Sequence, residues 1–455
     1  MDFSSKYILL LLEIVFNICH LKIFKTMPLK KALTTVHLWA IAVGLVISGE
    51  YFGWNYGWGV AGTVGFLIAT LIVTVLYITF VFSFTELTTA IPNSGGPFEY
   101  AKRAFGPVGG LIAGYATAIE FLFCPPAIAY ALGSYVHFLY PNADVVYTAI
   151  ACYVVFSLIN LGGIKESAVF TLVITVLAVV ELLIFIGIVA PHFQLHLFMH
   201  NNMPYGYTGI FAALPFAIWF YLAIEGVAMV AEEVKNPEKT IPRGYIFGIL
   251  TLTLLALAVM IVSGGITDWQ QLSAIDYPLP EAISLVLGKD NALTKLFASI
   301  GLFGLIASFH SGILGYSRQL FALARSGYLP SILSNVHARF QTPHIAIFGG
   351  GIVGIASILM GNTQQLIIIS ALGAVVMYMV SMVSLFVLRQ KEPDLERPFK
   401  TPFYPYFPAI ALILSSVCLV SIVYYNPILS VVFFGAMIVL TLVFIGFKKE
   451  IPTEL

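Results

Sequence analysis

Charge is what this chain has least of. Only 10% of its 455 residues are Asp, Glu, Lys or Arg, against 59% hydrophobic. Soluble domains carry about 25% charged residues, so the composition excludes an ordinary water-soluble fold and indicates a polytopic membrane protein. Acidic and basic residues balance at 22 each, which leaves no basic excess for nucleic acid. The four cysteines (Cys19, Cys124, Cys152, Cys418) have no paired spacing and suggest neither a disulfide framework nor a metal site. The histidines, His310 among them, show no metal-ligand arrangement; deep in an apolar run, His310 is expected to bond a carbonyl. No phosphate loop supports direct ATP drive, no nucleophile–base arrangement supports an enzyme, and no cofactor motif is present. The runs also lack the alternation of a barrel strand.

What is present is a series of apolar runs near 20 residues. We count twelve, at about 34–58, 60–90, 107–138, 145–162, 168–190, 208–233, 243–265, 293–325, 344–361, 364–388, 403–424 and 427–447. In a bilayer each segment satisfies its backbone internally as a helix, so the expected fold is an all-α integral membrane protein of 12 transmembrane helices. Lys102 and Arg103, then Lys235, Lys239 and Arg243, then Arg318, Arg325 and Arg339, then Arg389, Lys391, Arg397 and Lys400 fall on alternate connections. Only Lys289 and Lys295 lie on the other side. This asymmetry predicts cytoplasmic N- and C-termini in a cell membrane. The longest external loop, Thr267 to Asn291, holds Asp268, Asp276, Glu281 and Asp290 and reads as a solvated loop, with a cation-gathering vestibule as the alternative. The apolar stretch Tyr7–Cys19 is too short to span and precedes no cleavage site. Residues 1–26 are read as an N-terminal extension, with Met27 as an alternative start.

Glu50, Glu120, Glu181 and Glu225 lie inside apolar runs, with Glu86 nearer a run's end. A charge at a helix centre costs about 3 kcal/mol on insertion scales, and such residues mark substrate or ion paths. Glu50 follows Ser48-Gly49 and precedes Tyr51-Phe52-Gly53-Trp54; Glu225 precedes Gly226 and follows Trp219-Phe220-Tyr221-Leu222-Ala223. These runs are first and sixth in order, so they correspond in two five-helix halves. Paired glycine-interrupted segments at such places point to a transporter's midplane site. Two nearby carboxylates there would share a proton. Pro125-Pro126, after Glu120 and Phe121, is expected to kink the third helix.

Ala231-Glu232-Glu233-Val234-Lys235-Asn236-Pro237-Glu238-Lys239-Thr240-Ile241-Pro242-Arg243-Gly244 resembles the end of the sixth helix in the amino acid–polyamine–organocation transporters. Ile91-Pro92-Asn93-Ser94-Gly95-Gly96-Pro97-Phe98-Glu99-Tyr100-Ala101 resembles their second-to-third connection. Ile47 to Gly57 looks most like the ethanolamine permeases. The resemblance implies a leucine-transporter-like fold, with a 5+5 inverted repeat, broken helices 1 and 6, and two extra helices. The implied divisions are 27–205, 206–390 and 391–455.

Amino acid transporters of this family usually open a Gly-Ser/Ala-Gly break to receive the substrate carboxylate at helix N–H groups. Here the matching triplet is Ser48-Gly49-Glu50. A glutamate there repels a carboxylate and suits an ammonium. The resemblance thus implies a secondary-active importer of ethanolamine or a related small cationic amine, working by alternating access. By the same comparison Glu120 lines the cavity, Trp219 flanks the substrate, and Tyr221 meets a substrate hydroxyl or packs. Glu225 is read as bonding the unwound backbone; Tyr51, Phe121 and Ala223 complete the candidate set. Glu181 falls where some relatives carry a lysine, so it is a candidate for proton or sodium coupling. Ser308 and Ser311 are candidate oxygen ligands, although membrane serines more often bond their own backbone. The alternatives are an amino acid or polyamine transporter of the same superfamily, and a membrane receptor or enzyme using the same acids.

Overall fold

The computed structural model describes residues 31–162 and 164–447. The N-terminal extension, Cys19 and the basic tail lie outside the described residues. Within them the chain is helical; the one extended pairing is an isolated bridge between Leu33 and Val234.

Among the described residues nine helical runs are long and apolar enough to cross a membrane. Thr35–Tyr51, Val145–Asn160, Pro278–Leu287 and His344–Met360 are shorter apolar helices. The first two expected spans do not divide where the apolar pattern put the boundary. Thr35–Val46 and the single turn Ser48–Tyr51 come first, and the chain then reforms as Asn55–Ala90. Within that last run Gly62 has φ 69°, which marks a kink between two helical pieces. The sixth expected span is likewise divided, into Leu214–Trp219 and the 3₁₀ segment Ile224–Glu233. Pro125 and Pro126 sit inside a helix continuous from Pro107 to Leu139, with no non-helical residue at the pair. Their missing N–H groups leave the Phe121 and Leu122 carbonyls without a helical donor.

The most apolar 18-residue window of the Leu214–Glu233 run is wholly buried, whereas only 11% of that of Pro427–Gly446 is. The broken sixth element therefore sits at the centre and the last helix at the rim. The Thr363–Lys391 helix packs along Pro107–Leu139, and Leu302–Arg325 packs against that helix too. Thr35–Val46 lies against Pro237–Gly264 and Ile164–Val189. Gly350 and Gly354, in the glycine-rich His344–Met360 helix, admit the rings of Tyr316 and Tyr153, close packing of the kind small residues permit between membrane helices.

Buried ion pairs clasp one end of the bundle. Arg318 meets Glu233 at 3.1 Å, both almost fully buried. Glu232 Oε1 accepts from Ser94 N and Oγ at 2.9 Å each and from Arg325 at 3.2 Å. The two stretches that carried the family resemblance thus touch each other. Glu86 is held by Arg389 at 2.6 Å and by Arg397 at 3.3 Å, and its Oε2 accepts from Thr401 N at 2.7 Å.

Candidate functional site

The first break is built from side chains that stand in for the lost helical ladder. Phe52 is extended (φ −162°, ψ 175°) and Gly53 has φ 90°, a left-handed conformation that glycine adopts without steric cost. Asn55 Oδ1 accepts from Gly53 N at 3.0 Å, while its Nδ2 donates to Leu272 O at 2.6 Å and Ile275 O at 2.8 Å. Ser48 N donates to Ser308 Oγ at 2.9 Å, and Trp54 Nε1 donates to Glu50 O at 3.1 Å. Every freed group named here has a partner, as burial requires.

The second break turns on Ala223, left-handed at φ 76° and ψ 8°. For a non-glycine residue this is a strained position of the sort that clusters at functional sites. The breaks meet backbone to backbone. A Cβ on Gly49 would lie 2.5 Å from Trp219 O and 3.0 Å from Phe220 Cα. Phe52 packs edge-on to Trp219 at 5.5 Å, and Trp54 stacks over Phe220 at 6.2 Å.

Glu50, Glu120 and Glu225 are each 0% exposed. No hydroxyl, amide or cationic side chain among the described residues donates to either oxygen of Glu50 or of Glu120. No Lys or Arg forms an ion pair with Glu50, Glu120, Glu181 or Glu225 among the described residues. The pairing differs from the simplest reading of the sequence. Glu120 lies within hydrogen-bonding reach of Glu225, across from the Ala223 amide, and not beside Glu50. The reason is topological: Glu225 begins the 3₁₀ segment that faces the third helix, while Glu50 belongs to the turn before Gly53.

Glu225 was expected to hold unwound N–H groups. Its Oε2 also accepts from Tyr378 OH at 3.2 Å, and the Tyr77 and Tyr378 hydroxyls are 2.8 Å apart. Tyr221 OH pairs with Thr74 Oγ1 at 2.7 Å and lies within electrostatic reach of Glu50. Trp219 is buried, with Nε1 unpartnered. Phe121 packs against Gly226 and Gly315 and fills space between helices.

The coupling candidates separate into distinct neighbourhoods. Glu181 is not a lone carboxylate: Tyr51 OH donates to its Oε2 at 2.7 Å, with Ala178 O 3.0 Å from the same hydroxyl. Tyr135 OH donates to Tyr51 O at 3.2 Å. Ser308 and Ser311 do not bond their own backbone. Ser308 receives Ser48 N, and Ser311 Oγ, without a partner, faces Gly44 across from Thr175. No hydrogen bond joins Glu181 to either serine among the described residues. His310 meets a side-chain amide: Asn160 Nδ2 lies 2.9 Å from its Nδ1. Sequence reasoning missed Tyr378, Tyr77 and Thr74. With 23 tyrosines in the chain, no pattern distinguished these two from packing residues.

Paired helix breaks in contact, around buried acids that lack cationic partners, define a helical membrane transporter. Residues 33–447 match the family described as amino acid permease, and the chain belongs to that family. It is 29% identical to an uncharacterized transporter of Rhizobium meliloti (strain 1021), over 85% of this chain and 86% of that protein. It is 27% identical to the branched-chain amino acid permease BcaP of Bacillus subtilis (strain 168), over 73% and 75%. It is also 27% identical to the methylthioribose transporter of the same organism, over 74% and 76%. These relatives are transporters, and so is this chain; it is not an enzyme.

Proposed function

We propose that the protein imports ethanolamine or a closely related small primary amine by alternating access. One observation carries the reading: Glu50 is a fully buried carboxyl with no cationic or side-chain partner among the described residues, at the break where resembling amino acid transporters leave room for a substrate carboxylate. A buried charge needs a counter-charge. An ammonium supplies it, and the aromatic rings of Phe52, Trp54, Trp219 and Phe220, packed in pairs between the two breaks, are of the kind that attracts a cation. The relatives' names cover both branched-chain amino acids and methylthioribose, so membership of the family is compatible with more than one substrate class.

Within the same reading the chain forms twelve spans, arranged as two inverted five-helix repeats over 27–205 and 206–390, with two further helices after 391. The termini face the cytoplasm and the membrane is the cell membrane. Glu120 and Glu225, in reach of each other with no cation between them, hold one proton in common. Glu181, Ser308 and Ser311 border the first broken helix, where a coupling proton or sodium ion acts on its tilt.

The second reading is an amino acid or polyamine transporter, favoured by the printed name of the branched-chain permease. Uptake of labelled ethanolamine into proteoliposomes, with serine, choline and putrescine as competitors, separates the two. The amine reading expects ethanolamine flux that serine leaves untouched and that Glu50→Gln lowers at least tenfold, the loss of one charge-assisted contact. Uptake left intact by Glu50→Gln, or blocked by serine, would sink it.

A further inference from the structure

A second carboxylate without a cationic partner among the described residues lies outside the two breaks. Asp276 sits in the connection after the Pro237–Gly264 helix, and so at the opposite end of that helix from Lys235, Lys239 and Arg243. It was expected to be solvated. Instead it lines a cavity of about 240 Å³ together with Tyr56, Tyr130, Asn362, Thr363 and Gln364. A water occupies roughly 30 Å³ in the liquid, so the cavity has room for a small organic ion.

The chemistry of the lining is one-sided. Asp276 Oδ1 accepts from Tyr56 OH at 2.8 Å and Oδ2 accepts from Thr363 Oγ1 at 2.9 Å. Both donors are neutral, and no Lys, Arg or His forms an ion pair with Asp276 among the described residues. Tyr130 is held by its hydroxyl to the carbonyls of Ile358 and Gly361, which fixes its ring at the cavity wall. Gln364 adds an exposed amide at the rim, and Asn362, also exposed there, caps the Thr363–Lys391 helix by accepting from Gln365 N at 2.9 Å. A carboxylate, two tyrosine rings and an amide recognise a compact cation that donates several hydrogen bonds. A substrate carboxylate finds no positive partner here, and no cluster of three acidic, His or Cys ligands suits a metal ion among the described residues.

The cavity is mechanically close to the first break. Tyr56 follows Asn55, which bonds Gly53 N on one side and the Leu272 and Ile275 carbonyls, just before Asp276, on the other. Tyr56, Asp276 and Thr363 also come from three separate elements: the restarted first helix, the long connection, and the start of Thr363–Lys391. Whatever draws Asp276 away from the two hydroxyls loosens the contact among all three.

We propose that the Asp276 cavity is a second docking site for a small primary ammonium ion, on the face opposite the basic connections. The cation displaces the Tyr56 and Thr363 hydroxyls from the carboxylate, waits there, and in doing so unlatches the path toward the first break. The inference rests on the amine reading above for the choice of ligand, and its test is built to fail separately.

Equilibrium binding of labelled ethanolamine to the purified full-length protein in nanodiscs is expected to show two phases. Asp276→Asn keeps the side-chain volume and one acceptor but removes the charge. It abolishes one phase and raises the uptake KM about tenfold, the loss of a charge-assisted hydrogen bond, with maximal rate within about twofold. Glu50→Gln abolishes the other phase and leaves this one. Thr363→Val removes a competing donor without touching the charge, and tightens the Asp276 phase; a purely structural latch gives no tightening. Asp276→Asn that leaves both phases and KM unchanged overturns the proposal, as does Thr363→Val without tightening should the first variant fail to fold. Loss of the Glu50 phase alone in the unmodified protein, with the Asp276 phase present, counts against the substrate reading and for this one.

Discussion

Tyr378 donates to Glu225 Oε2 at 3.2 Å, and no hydroxyl, amide or cationic side chain among the described residues donates to the other oxygen of Glu225. Glu120, within hydrogen-bonding reach, has no such donor for either oxygen. Tyr77, 2.8 Å from the Tyr378 hydroxyl, extends the row, so the carboxyl pair has a hydroxyl chain on the Glu225 side and the Ala223 amide on the Glu120 side. Two carboxylates in a dry site repel unless a proton bridges them.

That arrangement predicts how coupling fails. Glu120→Gln replaces the bridging proton with an amide donor, so the contact survives and the protein folds. Ethanolamine flux in proteoliposomes then ceases to respond to an imposed pH gradient, while downhill exchange persists. Flux that still follows the gradient in both Glu120→Gln and Glu225→Gln moves the coupling proton to another group, with Glu181 the next to test.

Glu181 gives a second expectation, this one about stability. Its Oε2 depends on Tyr51 OH at 2.7 Å. Tyr51→Phe strands a buried carboxyl and lowers stability by about 1–3 kcal/mol, the cost of an unsatisfied buried polar group. Tyr51→Phe combined with Glu181→Leu removes both partners and recovers much of that loss. Thermal unfolding of the four proteins in one detergent, read as a double-mutant cycle, measures the coupling directly. Additive losses would mean that the bond contributes nothing.

The legible part of this molecule was what hydropathy and charge encode. Long apolar runs, the acids within them and the two glycine-flanked breaks stood out, because a charge or a break in hydrocarbon is costly and so is conspicuous. The exact break points were not legible. Phe52–Gly53 and Ala223 carry them, and Ala223 has no local signal for φ 76°; tertiary contacts impose it. Nor were the pairings. Glu120 is 105 residues from Glu225 in sequence (225 − 120 = 105), and nothing in a single chain reports which of several buried acids will face one another. Asp276 read as a loop residue because its neighbours are polar; its partners, Tyr56 and Thr363, lie 220 and 87 residues away.

The Asp276 site also has a sign under pH. Burial pushes its carboxyl above the usual aspartate range, and the hydrogen bonds from Tyr56 and Thr363 pull it part of the way back. The other titratable groups around it are tyrosines. Tyr56 and Tyr130 line the cavity, and Tyr277, in the same connection as Asp276, is shifted upward by burial. Glu281, on the helix that follows, shares the field of Tyr277. Only the ionised acid holds an ammonium, so docking is lost as pH falls through the raised pKa. The loss therefore begins at a higher pH than for a solvated aspartate, whose ordinary value is 3.8. Ethanolamine stays protonated throughout that fall, so the titration reports the protein and not the ligand. Binding of labelled ethanolamine to Glu50→Gln protein, which isolates this phase, is expected to fade on acidification from pH 7. The same curve in Glu50→Gln/Asp276→Asn protein is expected to be flat and near zero, and residual pH-dependent binding there would assign the titration to a different carboxyl.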